Sequence, residues 1–179
     1  DGRAWTCGEL ARHVGVAPST ASEHLTRLVD VGLLAEERQG RHRYLRLADD
    51  QVATLLEDLT SRQPRAVHPV RSLRAARIDR DLSFARTCYD HLAGRLGVEV
   101  YLAMTTERLL DDTAGVVLTP SGRTWLLGIG GHRLAESASR RPQARACLDW
   151  TERRSHLAGT SGAALLDAML ARNWVERRQ

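Results

Sequence analysis

The chain has 179 residues, 42% hydrophobic and only 4% aromatic, with a formal net charge of +4. That length allows one large or two small domains around an aliphatic core. No apolar run nears the roughly 20 residues of a membrane span, no signal-peptide pattern is visible, and three cysteines are too few for a disulfide scaffold. The expected compartment is the cytoplasm; the first residue is not Met, so a segment ahead of Asp1 is expected. All 26 basic residues are Arg, whose planar fork matches phosphate oxygens and guanine edges. Residues 1–62 hold 8 Arg against 10 Asp or Glu, a net of −2. Bulk charge therefore makes no case for nucleic acid there, and the placement of individual Arg residues must.

Thr6 with Glu9 three residues later is a capping-box signature. It predicts a helix over about 7–13 with Leu10, Ala11 and Val14 facing inward. Gly15 can take the positive φ that ends it, Val16-Ala17 make a turn, and Pro18 suits the first position of the next helix. That second helix is predicted from Pro18 to about Val31. At 100° per residue, Ala21, Leu25, Leu28 and Val29 share one side, and Ser19, Thr20, Glu23, Thr26 and Arg27 the other. Leu34–Arg38 and Arg43–Leu47 alternate like strands around a tip of Gln39-Gly40-Arg41-His42. Asp49-Asp50 can cap a further helix over about 51–62, with Val52, Leu55, Leu56 and Leu59 as its apolar stripe. Two helices joined by a tight turn, followed by a basic hairpin, make a winged helix-turn-helix pattern, which sets the second helix where it can enter a major groove.

Residues 63–80, with Pro64, Pro69 and five Arg, read as a linker that ends in a basic helical start. A second module over 81–179 follows. Phe84, Cys88, Leu92, Leu96 and Val100 recur every four residues and predict a helix broken near Gly97, with helical character again over 101–110. Residues 116–118 are strand-like, Thr119-Pro120-Ser121-Gly122 starts a helix, and 137–145 form a polar, Arg-rich stretch. Residues 147–150 are extended or turn. A helix over 161–173 precedes a strand opening at Trp174. This ending echoes residues 23–38, so a second, degenerate winged helix is one reading of the module. The expected fold is mainly α with small β wings, a winged helix-turn-helix plus a C-terminal helical module.

Residues 6–60 resemble the ArsR-like family of winged-helix repressors. The resemblance is carried by E-L-A-R-H-V-G-V (9–16), S-T-A-S-E-H-L-T-R-L (19–28), G-L-L (32–34) and R-Q-G-R-H-R-Y-L-R-L (38–47). It implies a homodimeric repressor on an inverted repeat of double-stranded DNA, with helices ahead of residue 6 building the dimer face. Typical members end soon after residue 60. C-Y-D-H-L-A-G (88–94), L-T-P-S-G-R (118–123) and C-L-D-W-T-E-R-R-S-H-L-A-G (147–159) look like the C-terminal module of a longer subgroup.

On the second helix, Ser19, Thr20, Glu23 and Arg27 can reach base edges or phosphates, with Ser22 and His24 at the flanks. Arg38, Arg41 and Arg43 crowd the wing tip, where phosphates or a minor groove would lie. The family's metal sites are not matched: Cys7 lacks the second Cys of a Cys-x-Cys pair, and the helix after the wing lacks the His of the other site. No cofactor is required by the sequence. Cys88, Asp90 and His91 form one cluster and Cys147, Asp149 and His156 another; their Cys and His residues are able to make a tetrahedral zinc-like site, against the reading that they fill the core, and a Cys88–Cys147 thiol switch is a third possibility. Trp125, Trp150 and Trp174, with Tyr89 and Tyr101, either line a small-molecule pocket or pack as core. Gly128-Ile129-Gly130-Gly131 lacks the full phosphate-loop pattern, and no catalytic triad or carboxylate pair stands out. The expected function is a non-enzymatic, DNA-binding repressor released by a small-molecule or metal effector. Its rivals are a metal- or thiol-dependent sensor using the C-terminal Cys and His residues, and an interaction or enzymatic module on a winged-helix scaffold.

Overall fold

The computed structural model describes residues 3–40, 42–61, 72–134 and 141–177. Arg41, residues 63–71 of the expected linker and residues 137–140 of the Arg-rich stretch at 137–145 fall outside it. The chain divides into two compact units, residues 1–56 and 57–179.

In the first unit, Thr6 and Glu9 satisfy each other's backbone at the start of helix α1 (Cys7–Val14): the Thr6 hydroxyl accepts from the Glu9 N–H at 3.3 Å and the Glu9 carboxylate from the Thr6 N–H at 2.8 Å. Gly15, with φ +74°, ends α1, and Pro18 opens α2 (Pro18–Asp30). Strands β1 (Trp5–Thr6), β2 (Leu34–Gln39) and β3 (His42–Leu47) form an antiparallel sheet in the order β1-β3-β2. Leu45 of β3 packs against Ala11, Ala21 and Leu25, with Cys7, Leu10, Val29 and Leu34 around them. Two residues expected inside are not: Val14 is 68% and Leu28 37% exposed. Replacing Thr6 by Ala should remove the α1 cap and cost about 1 kcal/mol, measured as a lower urea midpoint with faster amide exchange in α1.

Helix α3 (Asp50–Ser61) starts where Asp49 accepts from the Gln51 and Val52 N–H groups, both at 2.9 Å. Its leucine stripe, expected to be buried, is open: Leu55, Leu56 and Leu59 are exposed, while Ala53 and Glu57 are buried. Glu57 is drawn inward by an ion pair with Arg145.

The second unit contains α4 (Leu73–Phe84), capped by Ser72. It then runs β4 (Arg86–Cys88), β5 (His91–Ala93), α5 (Arg95–Thr106), β6 (Leu110–Asp111), β7 (Val117–Leu118), α6 (Pro120–Gly128), β8 (Arg145–Leu148), β9 (Ser155–Ala158) and α7 (Gly159–Ala171). Among the described residues its sheets are three separate antiparallel hairpins. The helix expected through Phe84, Cys88 and Leu92 is a hairpin instead. Tyr89, with φ +54°, turns the chain back after Cys88, and Cys88 pairs across strands with His91. The expected break at Gly97 is absent. The α5 backbone runs through Gly97 because only a glycine fits there: a Cβ would lie 2.6 Å from the Leu92 carbonyl oxygen. Residues 174–177 form no strand. The reading of a second winged helix rests on that strand after the last helix, which is not formed among the described residues.

The unit is instead built from a repeat. Ala-Arg-x-Cys-x-Asp at 85–90 and 144–149 leads to His-Leu-Ala-Gly-x-x-Gly at 91–97 and 156–162. Each copy is a hairpin followed by a helix: β4, β5, α5 and β8, β9, α7. In both copies a glycine at positive φ, Gly94 (+80°) or Gly159 (+82°), swings the chain from strand to helix. Helix α7 is buried along most of its length, packing with Leu92, Tyr101, Met104, Leu126 and Leu157 into one core. Among the described residues no helix is long and apolar enough to cross a membrane.

Candidate functional site

On α2, Ala21 and Leu25 anchor the helix to the core and turn its opposite face out. Ser19, Thr20, Ser22, Glu23, His24 and Arg27 are all exposed there. Arg27 is held by Glu23 at 2.7 Å, one helical turn back; an exposed pair of this kind contributes little to stability and leaves the guanidinium available to another partner. On the wing, Glu36 gathers two cations: Arg38 donates to it at 2.8 Å and Arg43 at 2.5 Å. Those bonds hold the Glu36 carboxyl below its ordinary pKa, Arg38 first and Arg43 second. Arg43 also donates to the Thr26 hydroxyl at 3.1 Å, tying the wing to α2. Helix and wing thus form one polar surface. Cys7 is half-buried, its thiol 3.7 Å from the Pro18 carbonyl.

The second unit brings together all four of the residues able to form a zinc-like site. Cys88 faces His91 across the first hairpin of the repeat and Cys147 faces His156 across the second. One ligand atom from each lies within 4.8 Å of the others. The imidazoles are fully buried and meet through their Nε2 atoms at 3.1 Å, the rings 5.0 Å apart. Their Nδ1 atoms make no hydrogen bond, at a cost of about 1–3 kcal/mol each for a buried polar group. Carboxylates wait just beyond: Asp90 is 3.5 Å from His91 Nδ1, and Asp149 is 3.6 Å from His156 Nδ1. Each Asp is in turn clamped by an Arg lying over an aromatic ring. Arg141 grips Asp90 above Tyr89, and Arg86 grips Asp149 at 2.8 Å above Trp150.

Protonation follows this packing. Burial lowers the pKa of His91, but the neighbouring Asp90 carboxylate and Cys88 sulfur outweigh it and lift it to about 9. The Cys88 thiol is pushed up to about 12 by its bond with Cys147 and then by burial. Burial opposes ionisation of Asp90 and Asp149 too, yet both sit below the usual carboxylate range. His91 and Arg141 outweigh it for Asp90, and Thr151, two backbone N–H groups and Arg86 for Asp149.

A family profile described as a helix-turn-helix domain matches residues 1–37, which hold α1, the turn and α2. Over 178 residues the chain is 41% identical to YdfF, an uncharacterized HTH-type transcriptional regulator of Bacillus subtilis (strain 168); the match covers 99% of this chain and 78% of the relative. This chain belongs to the HTH-type transcriptional regulators. No solved structure matches it.

The regulator is therefore a DNA-binding protein whose relationship extends through the second unit, beyond the helix-turn-helix alone. The aromatic residues of that unit divide. Trp125 and Trp174 line an apolar cavity of about 350 Å³ with Val100, Met104 and Met169. Tyr101 is core, and Tyr89 and Trp150 serve the two Arg–Asp clamps. Sequence reasoning placed Asp90 and Asp149 in the two Cys and His clusters without giving them a role, and missed Arg86 and Arg141 as their supports. The signal was the repeated Ala-Arg-x-Cys-x-Asp, obscured because residues 150–155 lengthen the second hairpin.

Proposed function

We propose that two copies of this regulator occupy an inverted repeat in a promoter as an ArsR-type repressor, and that an effector acting on the C-terminal module releases them. The observation that supports this best is the continuous outward surface of α2 and the wing, joined by the Arg43–Thr26 bond. In this reading residues 1–62 bind DNA, 63–80 link, and 81–179 sense the effector or hold the dimer. No catalytic role is assigned to any residue. Ser19, Thr20, Glu23 and Arg27 face base edges, Ser22 and His24 flank them, and Arg38, Arg41 and Arg43 meet phosphates. Glu23 aims Arg27 along the helix, and the fork can exchange that exposed carboxylate for a guanine edge. Release requires an effector with different affinities for the operator-competent and operator-incompetent states of the dimer.

The test is binding of the purified protein to DNA upstream of its own gene, across a series of salt concentrations. Arg27→Ala should weaken cognate binding by about 1–3 kcal/mol and leave non-specific binding nearly unchanged. Arg43→Ala should weaken both alike and lower the salt slope by about 0.9. Absence of salt-sensitive binding would point to an interaction or enzymatic module on a winged-helix scaffold instead.

A further inference from the structure

We propose that Cys88, His91, Cys147 and His156 form a closed four-coordinate site for one zinc-class divalent cation per chain. The site goes beyond the DNA reading and does not depend on it. Two cross-strand Cys–His pairs, one from each copy of the repeat, present two sulfurs and two imidazole nitrogens within 4.8 Å of one another. Two thiolates with two imidazoles are the donor set that selects zinc-like ions in tetrahedral geometry. Binding releases to solvent the two thiol protons and, where His91 is an imidazolium, its extra ring proton, which leaves both Nε2 lone pairs free. The resulting thiolates cancel the charge of the cation, so the buried centre is neutral overall.

A core-filling reading accounts for the burial of these side chains but not for their polar atoms. The Nε2 atoms point at each other at 3.1 Å, where they would become ligands. The Nδ1 atoms then carry the protons, and Asp90 and Asp149 stand 3.5 and 3.6 Å away to receive them. Carboxylates behind metal-bound histidines, themselves held by other groups, are the usual outer support of such centres. The backbone is shaped around the same point from both sides. A Cβ on Gly97 would meet the His156 side chain, and one on Gly162 the His91 side chain, at 3.5 and 3.1 Å. With all four positions filled by protein, the centre has no open place for substrate, which suits a structural or signal-receiving role.

The experiment uses the full chain, reduced, with cobalt(II) as the spectroscopic probe. One cobalt per chain should bind, giving the visible bands of a tetrahedral ion and a near-ultraviolet thiolate-to-metal band, both displaced by zinc. Cys7→Ser should retain these bands and the Cys88→Ser, Cys147→Ser double variant should lose the thiolate band. Asp90→Asn should keep the spectrum while weakening affinity about 10–100-fold. Thiol reactivity of the unaltered protein needs no variant: zinc should slow the reaction of Cys88 and Cys147 relative to the chelated protein and leave that of Cys7 unchanged. An unaltered protein that gives no cobalt bands, bands that survive the double variant, or thiols that react equally with and without zinc would each overturn the site.

Discussion

Replacing Asp149 by Ala should destabilise the C-terminal unit by about 3–5 kcal/mol, the range for removing one partner of a buried ion pair. Asp149 is fully buried and organises three parts of the unit. It accepts from the Gly94 N–H at 2.7 Å, fixing the chain at the entry to α5. It accepts from Thr151 through N–H and hydroxyl at 2.9 and 2.6 Å and from the Glu152 N–H at 3.1 Å, closing its own hairpin turn. Both its oxygens take the Arg86 guanidinium at 2.8 Å. The substitution leaves that Arg, with only 11% of its side chain exposed, without its counter-charge. Asp149→Asn keeps the shape and loses the charge, so it should fall between the parent and the Ala variant. Urea denaturation followed by tryptophan fluorescence reads this unit, which holds Trp125, Trp150 and Trp174. A loss below about 1 kcal/mol, the scale of an exposed pair, would contradict the role given to Asp149.

Gly162→Ala should cost about 1–3 kcal/mol or more, as over-packing does in a close-fitted core. The added Cβ would lie 2.4 Å from the Leu157 carbonyl oxygen and 3.1 Å from the His91 Cβ. The first obstacle is backbone, which cannot swing aside, so α7 must lift from β9 and its contact with His91 must shift. Gly128→Ala is the matched comparison. That glycine is also helical, but nothing lies within 4 Å of an added Cβ, so the change should stabilise by about 0.4–1 kcal/mol through the unfolded chain. Opposite shifts in thermal midpoint are expected. Equal shifts would mean that the contact at Gly162 is not close.

The first unit was legible because its signals are local. Thr6 and Glu9 cap α1, Gly15 ends it, Pro18 opens α2, and Leu45 alternates into the core of a two-stranded wing; each operates within a few residues. Leu55, Leu56 and Leu59 show the limit of that logic. Their spacing defines an apolar stripe, but an ion pair between Glu57 and Arg145 decides which edge of α3 is buried in the chain. Cys88 shows a second limit. Phe84, Cys88, Leu92 and Leu96 mimic a helical period, yet Tyr89 reverses the chain at a positive φ without the Gly or Asn that signals such a turn. Convergence of Cys88 with Cys147 depends on pairing hairpins 59 residues apart in sequence, which no local period encodes. The repeat of Ala-Arg-x-Cys-x-Asp was the one long-range signal available.

Hydroxyl-radical footprinting on the DNA upstream of the gene tests the central claim most directly, because it reports where α2 and the wing lie on the duplex. Two protected patches about one helical turn, roughly 10–10.5 base pairs, apart and related by an inverted repeat are expected, and Arg27→Ala should erase them at protein concentrations that saturate the parent. Uniform cleavage at those concentrations, or a footprint unchanged by Arg27→Ala, would contradict it.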